Sequence, residues 1–211
     1  MSKKNIAILT ILLAIILDQV IKIYIKTNYA LGDGFEIFSW FKIHFVENNG
    51  MAMGFEFGGK AGKLSLTLFR IVACGAIIYW LASNIKRKVH NAVIVGISFI
   101  FSGAVGNILD SIFYGVIFDS QEHKVDNLFA DETYGELFYG KVVDMFYFPI
   151  WKGDLPEWIP FVGGEPFTFF QYIFNPADSY ITIGVVLLFI FSKHAFPKEE
   201  KKVEGITTPE V

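Results

Sequence analysis

The sequence predicts an α-helical membrane protein with four transmembrane helices, a small β-sheet on the outer face and a long outer insertion. Three observations lead there. Of 211 residues, 53% are hydrophobic and 18% charged, and the mean hydropathy is +0.46; a soluble domain carries about 25% charged residues and fewer apolar ones. Four apolar runs approach the ~20 residues that cross a bilayer. Acidic and amide residues gather at the ends of those runs that fall on one side. The formal net charge of −3 leaves no nucleic-acid footprint, so no nucleic-acid partner is expected. Cys74, the single cysteine, cannot form an intramolecular disulfide and reads as a small buried hydrophobe.

The first run is Ile6–Tyr24. Lys3 and Lys4 precede it as in a signal peptide, but Asp18, Gln19 and Lys22 stand where a small-residue cleavage site would be, so it reads as a retained anchor. The others are Leu64–Ser83, Ala92–Leu109 and Ser179–Phe196. Backbone polar groups in hydrocarbon must be paired within the segment, which makes each run a helix. Lys86, Arg87 and Lys88 lie between the second and third runs; Lys193, Lys198, Lys201 and Lys202 lie at and beyond the end of the fourth. With Lys3 and Lys4 these fall on one side, and the positive-inside rule makes it the cytoplasm. Both termini are then cytoplasmic, and segments 25–63 and 110–178 face outward.

In the first outer segment Phe41, Ile43 and Phe45 alternate with Lys42, His44 and Val46, and Asp33-Gly34 is a turn signal, so a small sheet is expected at the membrane surface. The second is long, acidic and aromatic: Glu122, Asp126, Asp131, Glu132 and Glu136, then Phe146, Tyr147, Phe148, Trp151 and Trp158. Trp and Tyr favour the headgroup level, which suits a segment lying partly flat on the bilayer. Residues 1–197 form one domain; 198–211 is a charged cytoplasmic tail without a core.

Polar residues at the span ends carry the chemistry. Asp18 and Lys22 are four apart and share a helix face. Asn107 and Asp110 are three apart at the end of the third run, and Asn175 and Asp178 three apart before the fourth. Asp144 sits among apolar neighbours in KVVDMFYF. Structural readings stand beside the functional ones: an Asp18–Lys22 ion pair, a helix cap at Asn175–Asp178 that accounts for one residue of the two, and helix packing at Gly103 and Gly106. Intramembrane ionisable residues are functional by default. His44, His90, His123 and His194 are scattered without HExxH, and no GxSxG occurs. Two close carboxylates cannot both ionise comfortably: one keeps its proton, the other stays charged. The charged one can take a proton from water and the other can donate to a carbonyl or a leaving amine. Such a pair hydrolyses peptides and titrates as a unit.

At this point the motifs resemble a family, the lipoprotein signal peptidases, also called signal peptidase II. DQVIK at 18–22 is similar to the family's D-Q-x-x-K, NNGMAMGF at 48–55 to N-x-G-x-A-F with Met53 where Phe is usual, and GAVGNILD at 103–110 to G-x-x-G-N-x-x-D. VVDMF at 142–146 and FNPAD at 174–178 resemble V-V-D-F and F-N-x-A-D. The resemblance implies an aspartic endopeptidase of the bacterial inner membrane. It cuts prolipoproteins before a cysteine that already carries diacylglycerol and releases the signal peptide. Asp144 and Asp178 would be the catalytic pair. Asn107, Asp110 and Asn175 would orient it, and Asp18, Lys22 and Asn48 would support it or contact substrate. The outer sheet around Asn48 would form a cradle. No cofactor or metal is expected; membrane lipid and cyclic peptide inhibitors of the globomycin type are expected partners, and the chain is expected to be a monomer.

Two departures stand out. The family usually has Arg after the third motif's Asp, and here Ser111 follows Asp110; Lys124 and Lys141 are the candidates to compensate. The stretch 111–140 is longer than typical, and is a lid, a partner surface or a mobile insertion. Other classes make different predictions. A proton relay through Asp18, Asp110 and Asp178 needs acids near the bilayer midplane, but the sequence puts them near one face. A scaffold would bind a partner without cutting. A divalent-cation site would make cleavage chelator-sensitive.

Overall fold

The computed structural model describes residues 1–50, 59–119 and 124–195. The expectations for the motif residues 51–55, for Glu122 and His123, and for the tail 198–211 lie outside them.

Four helices form the body: α1 (Lys3–Asn28), α2 (Gly59–Lys86), α3 (Asn91–Leu109) and α5 (Pro176–Ile190). A π-helical turn, Asp110–Tyr114, and a short α4, Gly115–Ile117, extend α3. After a break at Phe191, α6 (Ser192–Ala195) continues from α5. α1, α2 and the continuous 27-residue helix Asn91–Ile117 are long and apolar enough to cross a membrane; α5 is apolar but has 15 residues. Their outward faces are apolar: Leu13, Ile16, Leu17 and Val20 on α1, Phe69, Val72 and Tyr79 on α2, and Phe189 on α5 are all exposed. That arrangement inverts a soluble helix and fits a lipid solvent.

α3 is the central helix and packs on α1, α2 and α5. Small residues permit the approach. A Cβ on Gly96 would lie 3.1 Å from the Gly184 carbonyl, and one on Gly184 would lie 2.5 Å from the Gly96 carbonyl; one on Gly103 would collide with the Ala177 carbonyl. The packing reading of Gly103 therefore fits its surroundings. Because α3 and α5 touch backbone to backbone, Asn107 and Asp110 at the end of α3 come next to Asn175 and Asp178 at the start of α5.

At the other end of the bundle, Ala7, Leu81, Val93, Ile94, Ile97 and Ala195 form one apolar cluster. Lys3 there hydrogen-bonds the Val89 carbonyl and, at 2.9 Å, Asn91 Oδ1. The basic residues of the amino terminus, the α2–α3 link and the end of α5 thus share one end, and the acidic motifs share the other.

A four-stranded antiparallel sheet caps the acidic end in the order β1 (Gly34–Phe38), β2 (Phe41–Asn48), β3 (Val142–Tyr147), β6 (Ile173–Phe174). The expected alternation appears in β2, where Ile43 and Phe45 are buried. They pack with Val143, Met145, Ile25, Tyr114 and Phe118. The turn falls two positions before the Asp33-Gly34 signal, at Leu31-Gly32, where Gly32 takes φ +91°. Asp144 lies opposite Val46 in the β2–β3 register. A second hairpin, β4 (Trp151–Asp154) with β5 (Pro166–Phe169), stands apart from this sheet. Stacked rings of Trp40, Phe41, Phe148 and Phe174 lie at its base.

The described part of the insertion folds back on the end of α3. Gly140 donates to the Ser111 carbonyl at 2.9 Å, Phe138 to Ile112 at 3.1 Å, Gly135 to Gly115 at 2.9 Å and Tyr134 to Phe118 at 3.1 Å. Buried Lys26 pairs with Glu47 and Asp126 and lies 5.1 Å from the centre of the Phe118 ring. Lys141 also reaches Glu47, at 3.2 Å.

Candidate active site

The site grows from a buried cation. Lys22 and Asp18, one turn apart on α1, are both fully buried and 3.1 Å apart; Asp110 completes the group 2.7 Å from the Lys22 ammonium. Lys22 gives a third hydrogen bond, of 3.0 Å, to Asn107 Oδ1. Gln19 Nε2 donates to Asp18 at 3.0 Å and Asp110 at 2.9 Å, and its carbonyl accepts from Tyr114 Oη at 3.2 Å. The Ala177 N–H at the start of α5 donates to Asp18 Oδ1 at 2.9 Å, so an anion sits at the positive end of a helix. A buried ionic cluster survives only when its polar atoms find partners, and here one ammonium is shared by two carboxyl groups whose oxygens also accept from Gln19 and Ala177.

Two carboxamides carry the network to the acids in front of it. Asn107 Nδ2 donates to Asp178 Oδ1 at 2.9 Å. Asn175 Nδ2 donates to Asn107 Oδ1 at 3.1 Å and to Asp144 Oδ1 at 2.6 Å. Asp178 N donates to Asn175 Oδ1 at 3.0 Å while Asn175 N donates to Asp178 Oδ2 at 3.4 Å. This reciprocal pair is a capping box with Pro176 at the helix start. It corrects the expectation that capping accounts for one residue of Asn175 and Asp178: the cap uses both, and their remaining atoms reach Asn107 and Asp144. From the sheet, Asn48 Nδ2 donates to Asp144 Oδ2.

Asp144 is 4% exposed on β3, while Asp178 is half-buried. Burial, and after it the Asp178 charge, pushes the Asp144 carboxyl up to about 7; the Asn175 hydrogen bond, Lys22 and the Asn48 hydrogen bond pull the other way. A carboxyl that holds a proton near neutrality beside a second carboxylate can donate while its neighbour accepts.

The structure thus brings all eight expected residues into one hydrogen-bonded network: Asp18, Lys22, Asn48, Asn107, Asp110, Asn175, Asp144 and Asp178. Gln19 joins it within its motif. The sequence reading missed Tyr114, although a tyrosine one turn beyond Asp110 on an amphipathic end is a signal. It also missed Arg70, which donates from Nη2 to the Gly50 carbonyl at 2.6 Å; a guanidinium inside an apolar run is the signal there. Ser111 bonds its own helix, Oγ to the Asn107 carbonyl at 2.8 Å. Lys124 is exposed, and Lys141 is engaged with Glu47. Among the described residues the cation on Asp110 is Lys22. His90 caps α3 through Nδ1 and Ala92 N at 3.2 Å, away from the network.

Comparisons with known proteins agree with one another. The model of the family described as signal peptidase (SPase) II matches residues 10–193. A lipoprotein signal peptidase of Porphyromonas gingivalis is 50% identical over 182 residues, 85% of this chain and 79% of that one. One from Amoebophilus asiaticus is 34% identical over 199 residues, covering 92% and 80%. A solved bacterial membrane enzyme superposes with a TM-score of 0.58 at 26% identity, covering 92% of this chain and 93% of the other. A second does so with a TM-score of 0.59 at 27% identity, covering 88% and 91%.

Proposed function

The chain belongs to the signal peptidase II family, and from that premise we propose that it is an aspartic endopeptidase whose reacting pair is Asp144 and Asp178. As a member of the family it is a lipoprotein signal peptidase, a bacterial membrane protease that removes signal peptides from prolipoproteins. The catalytic type and the residues are the proposal. The observation that carries it is the amide bridge: Asn175 and Asn107 are bonded to each other, and each holds one of the two acids.

In this reading Asp144 holds the proton and Asp178 the charge. Asp144 is the more buried, and Asp178 accepts N–H bonds from Asn107 and from the backbone at the start of α5. Asp178 takes a proton from water as the water oxygen bonds to the scissile carbonyl carbon. Asp144 gives its proton to the carbonyl oxygen, and a tetrahedral diol results. Return of a proton from Asp178 to the leaving nitrogen breaks the C–N bond, and the diol gives its proton back to Asp144. Lys22, Asp110 and Asp18 lie behind Asn107 and hold its carbonyl toward Asn175.

The cut falls before a diacylglyceryl cysteine, and the membrane presents that lipid at the level of the pair. α5 supplies the fourth span: 15 residues rise ~22 Å, α6 adds a turn, and α3 accompanies it. The four-stranded sheet is the cradle that receives the extended segment. The basic end of the bundle faces the cytoplasm and the site faces outward. Cyclic peptides of the globomycin type would occupy the same groove, and a single chain holds the complete site. The test is cleavage of a diacylglyceryl-modified prolipoprotein by the detergent-purified chain. Asp144→Asn and Asp178→Asn should each lower kcat by about a thousandfold or more; cutting at the wild-type rate by either variant would sink the assignment.

A further inference from the structure

A charged side chain in an apolar helix is costly unless the protein engages it. Arg70 lies about three turns into α2. Its neighbours Phe69 and Val72 face outward, while Arg70 is half-buried. It shares the protein-facing stripe of α2 with buried Lys63, Thr67 and Cys74, which recur at helical spacing. Among the described residues no carboxylate comes within ion-pair distance of it. Its hydrogen bond goes to the Gly50 carbonyl at 2.6 Å. The bonded chain from the Gly50 carbonyl through Asn48 to Asp144 puts the guanidinium on the Asp144 side of the site.

What Arg70 holds matters more than its charge alone. Gly50 takes φ +86°, and a Cβ there would lie 2.8 Å from Arg70 Nη1, so the guanidinium rests against the glycine backbone. Gly50 N donates to Asn48 Oδ1, and Asn48 Nδ2 donates to Asp144. One turn of chain therefore connects Arg70 to Asp144. α2 grips the same turn at a second point, because Lys63 donates to Asn49 Oδ1 at 2.9 Å and to the Tyr139 carbonyl at 2.8 Å.

We propose that Arg70 is a positioning residue of the site: it clamps the Gly50 carbonyl, which sets the Asn48 carboxamide on Asp144, and it lays a positive charge toward the Asp144–Asp178 pair. The proposal rests on the reading of those two acids as the reacting pair. It assigns α2 a part in the chemistry, where the sequence motifs point only to α1, α3, α5 and the sheet.

The test is the pH profile of kcat and KM for the full-length chain in detergent with a diacylglyceryl-modified prolipoprotein. Arg70→Gln should lower kcat by about tenfold or more with KM changed less than about threefold. Loss of the cation should also displace the profile to higher pH by about half a unit or more, since a carboxylate without its cation binds a proton more tightly. Arg70→Lys keeps the charge, so its profile should stay in place while kcat recovers in part. Gly50→Ala should lower kcat by the other route, by driving the guanidinium off the turn, and decides the matter if Arg70→Gln does not fold. Wild-type kcat in Arg70→Gln or in Gly50→Ala overturns the proposal. So does a loss in Arg70→Gln with an unmoved pH profile and no recovery in Arg70→Lys, the signature of a merely structural residue. Asp144→Asn and Asp178→Asn, assayed alongside, separate this failure from failure of the pair itself: if they still cut, the pair is wrong whatever Arg70 does.

Discussion

Asp144 offers the sharpest handle among the residues, because its environment makes a signed prediction. Its carboxyl is held up to about 7, first by burial and then by Asp178. As the proposed proton donor it is competent below that value, so kcat should fall as pH rises through about 7. Asn48 donates to the ionised form, and Asn48→Ala should therefore lower kcat and move the alkaline limb to higher pH. A limb that moves down or stays still would contradict the assigned donor. Stability carries the same sign. The folded protein binds this proton more tightly than the unfolded chain, with its ordinary value of 3.8, so the contribution is present at low pH and is lost as pH rises toward about 7. Asp144→Asn cannot ionise, and its Tm should rise relative to wild type at about pH 8 and not at about pH 4, by the equivalent of a few kcal/mol at ~1.4 kcal/mol per unit. Equal Tm differences at both pH values would show that the folded site does not favour the proton. The acids were legible in the sequence because carboxylates beside apolar runs are rare. Gln19 was legible only as part of its motif and Tyr114 only as a tyrosine one turn past Asp110; that the two are bonded follows from the packing of α1 against the end of α3.

Among the elements, the helices were legible and their connections were not. Hydropathy locates α1, α2 and α3 to within a few residues because lipid exposure demands unbroken apolar runs. α5 is shorter than its run because the helix breaks at Phe191, with φ −99° and ψ 24°. The β4–β5 hairpin escaped notice because Trp151–Phe169 mixes Gly, Pro and aromatics without alternation. The insertion is docked by a contact that no spacing rule reveals: Lys26 of α1 is fully buried between Glu47 of β2 and Asp126 of the insertion. Lys26→Met would remove the cation that Glu47 and Asp126 share and leave Glu47 to Lys141 alone, a loss of about 3–5 kcal/mol. The triple variant Lys26→Met, Glu47→Gln, Asp126→Asn removes the stranded charges and should recover most of it. Thermal unfolding with limited proteolysis across 118–140 reads both effects. A single variant as stable as wild type would mean that the insertion is held by its backbone bonds alone, to Lys26 and to the stretch from Ser111 to Phe118.

At the scale of the molecule, chemistry and charge separate to opposite ends of one bundle, and that separation decides how the enzyme can sit in a membrane. Lys3, the α2–α3 link and the end of α5 meet at one end, while the sheet, the hairpin and both acids meet at the other. The sequence foretold this polarity because Lys and Arg gather in the short links, which the positive-inside rule keeps on one side during insertion. It did not foretell which residues of the long outer segments face solvent, since those follow from the fold of the sheet. A labelling experiment tests the orientation directly. Phe161 in the β4–β5 connection is wholly exposed, and Lys88 in the α2–α3 link is exposed at the far end. In a Cys74→Ser background, where the one native thiol is gone, Phe161→Cys should react with a membrane-impermeant maleimide on intact spheroplasts. Lys88→Cys should react only after the membrane is opened. The reverse pattern would place the acids on the cytoplasmic side and with them the wrong end of any exported prolipoprotein. Labelling of both in intact spheroplasts would mean that the bundle does not seal the two ends from one another. Only the first pattern lets a lipid-anchored substrate reach Asp144 and Asp178 from the outer leaflet while the basic end stays in the cytoplasm.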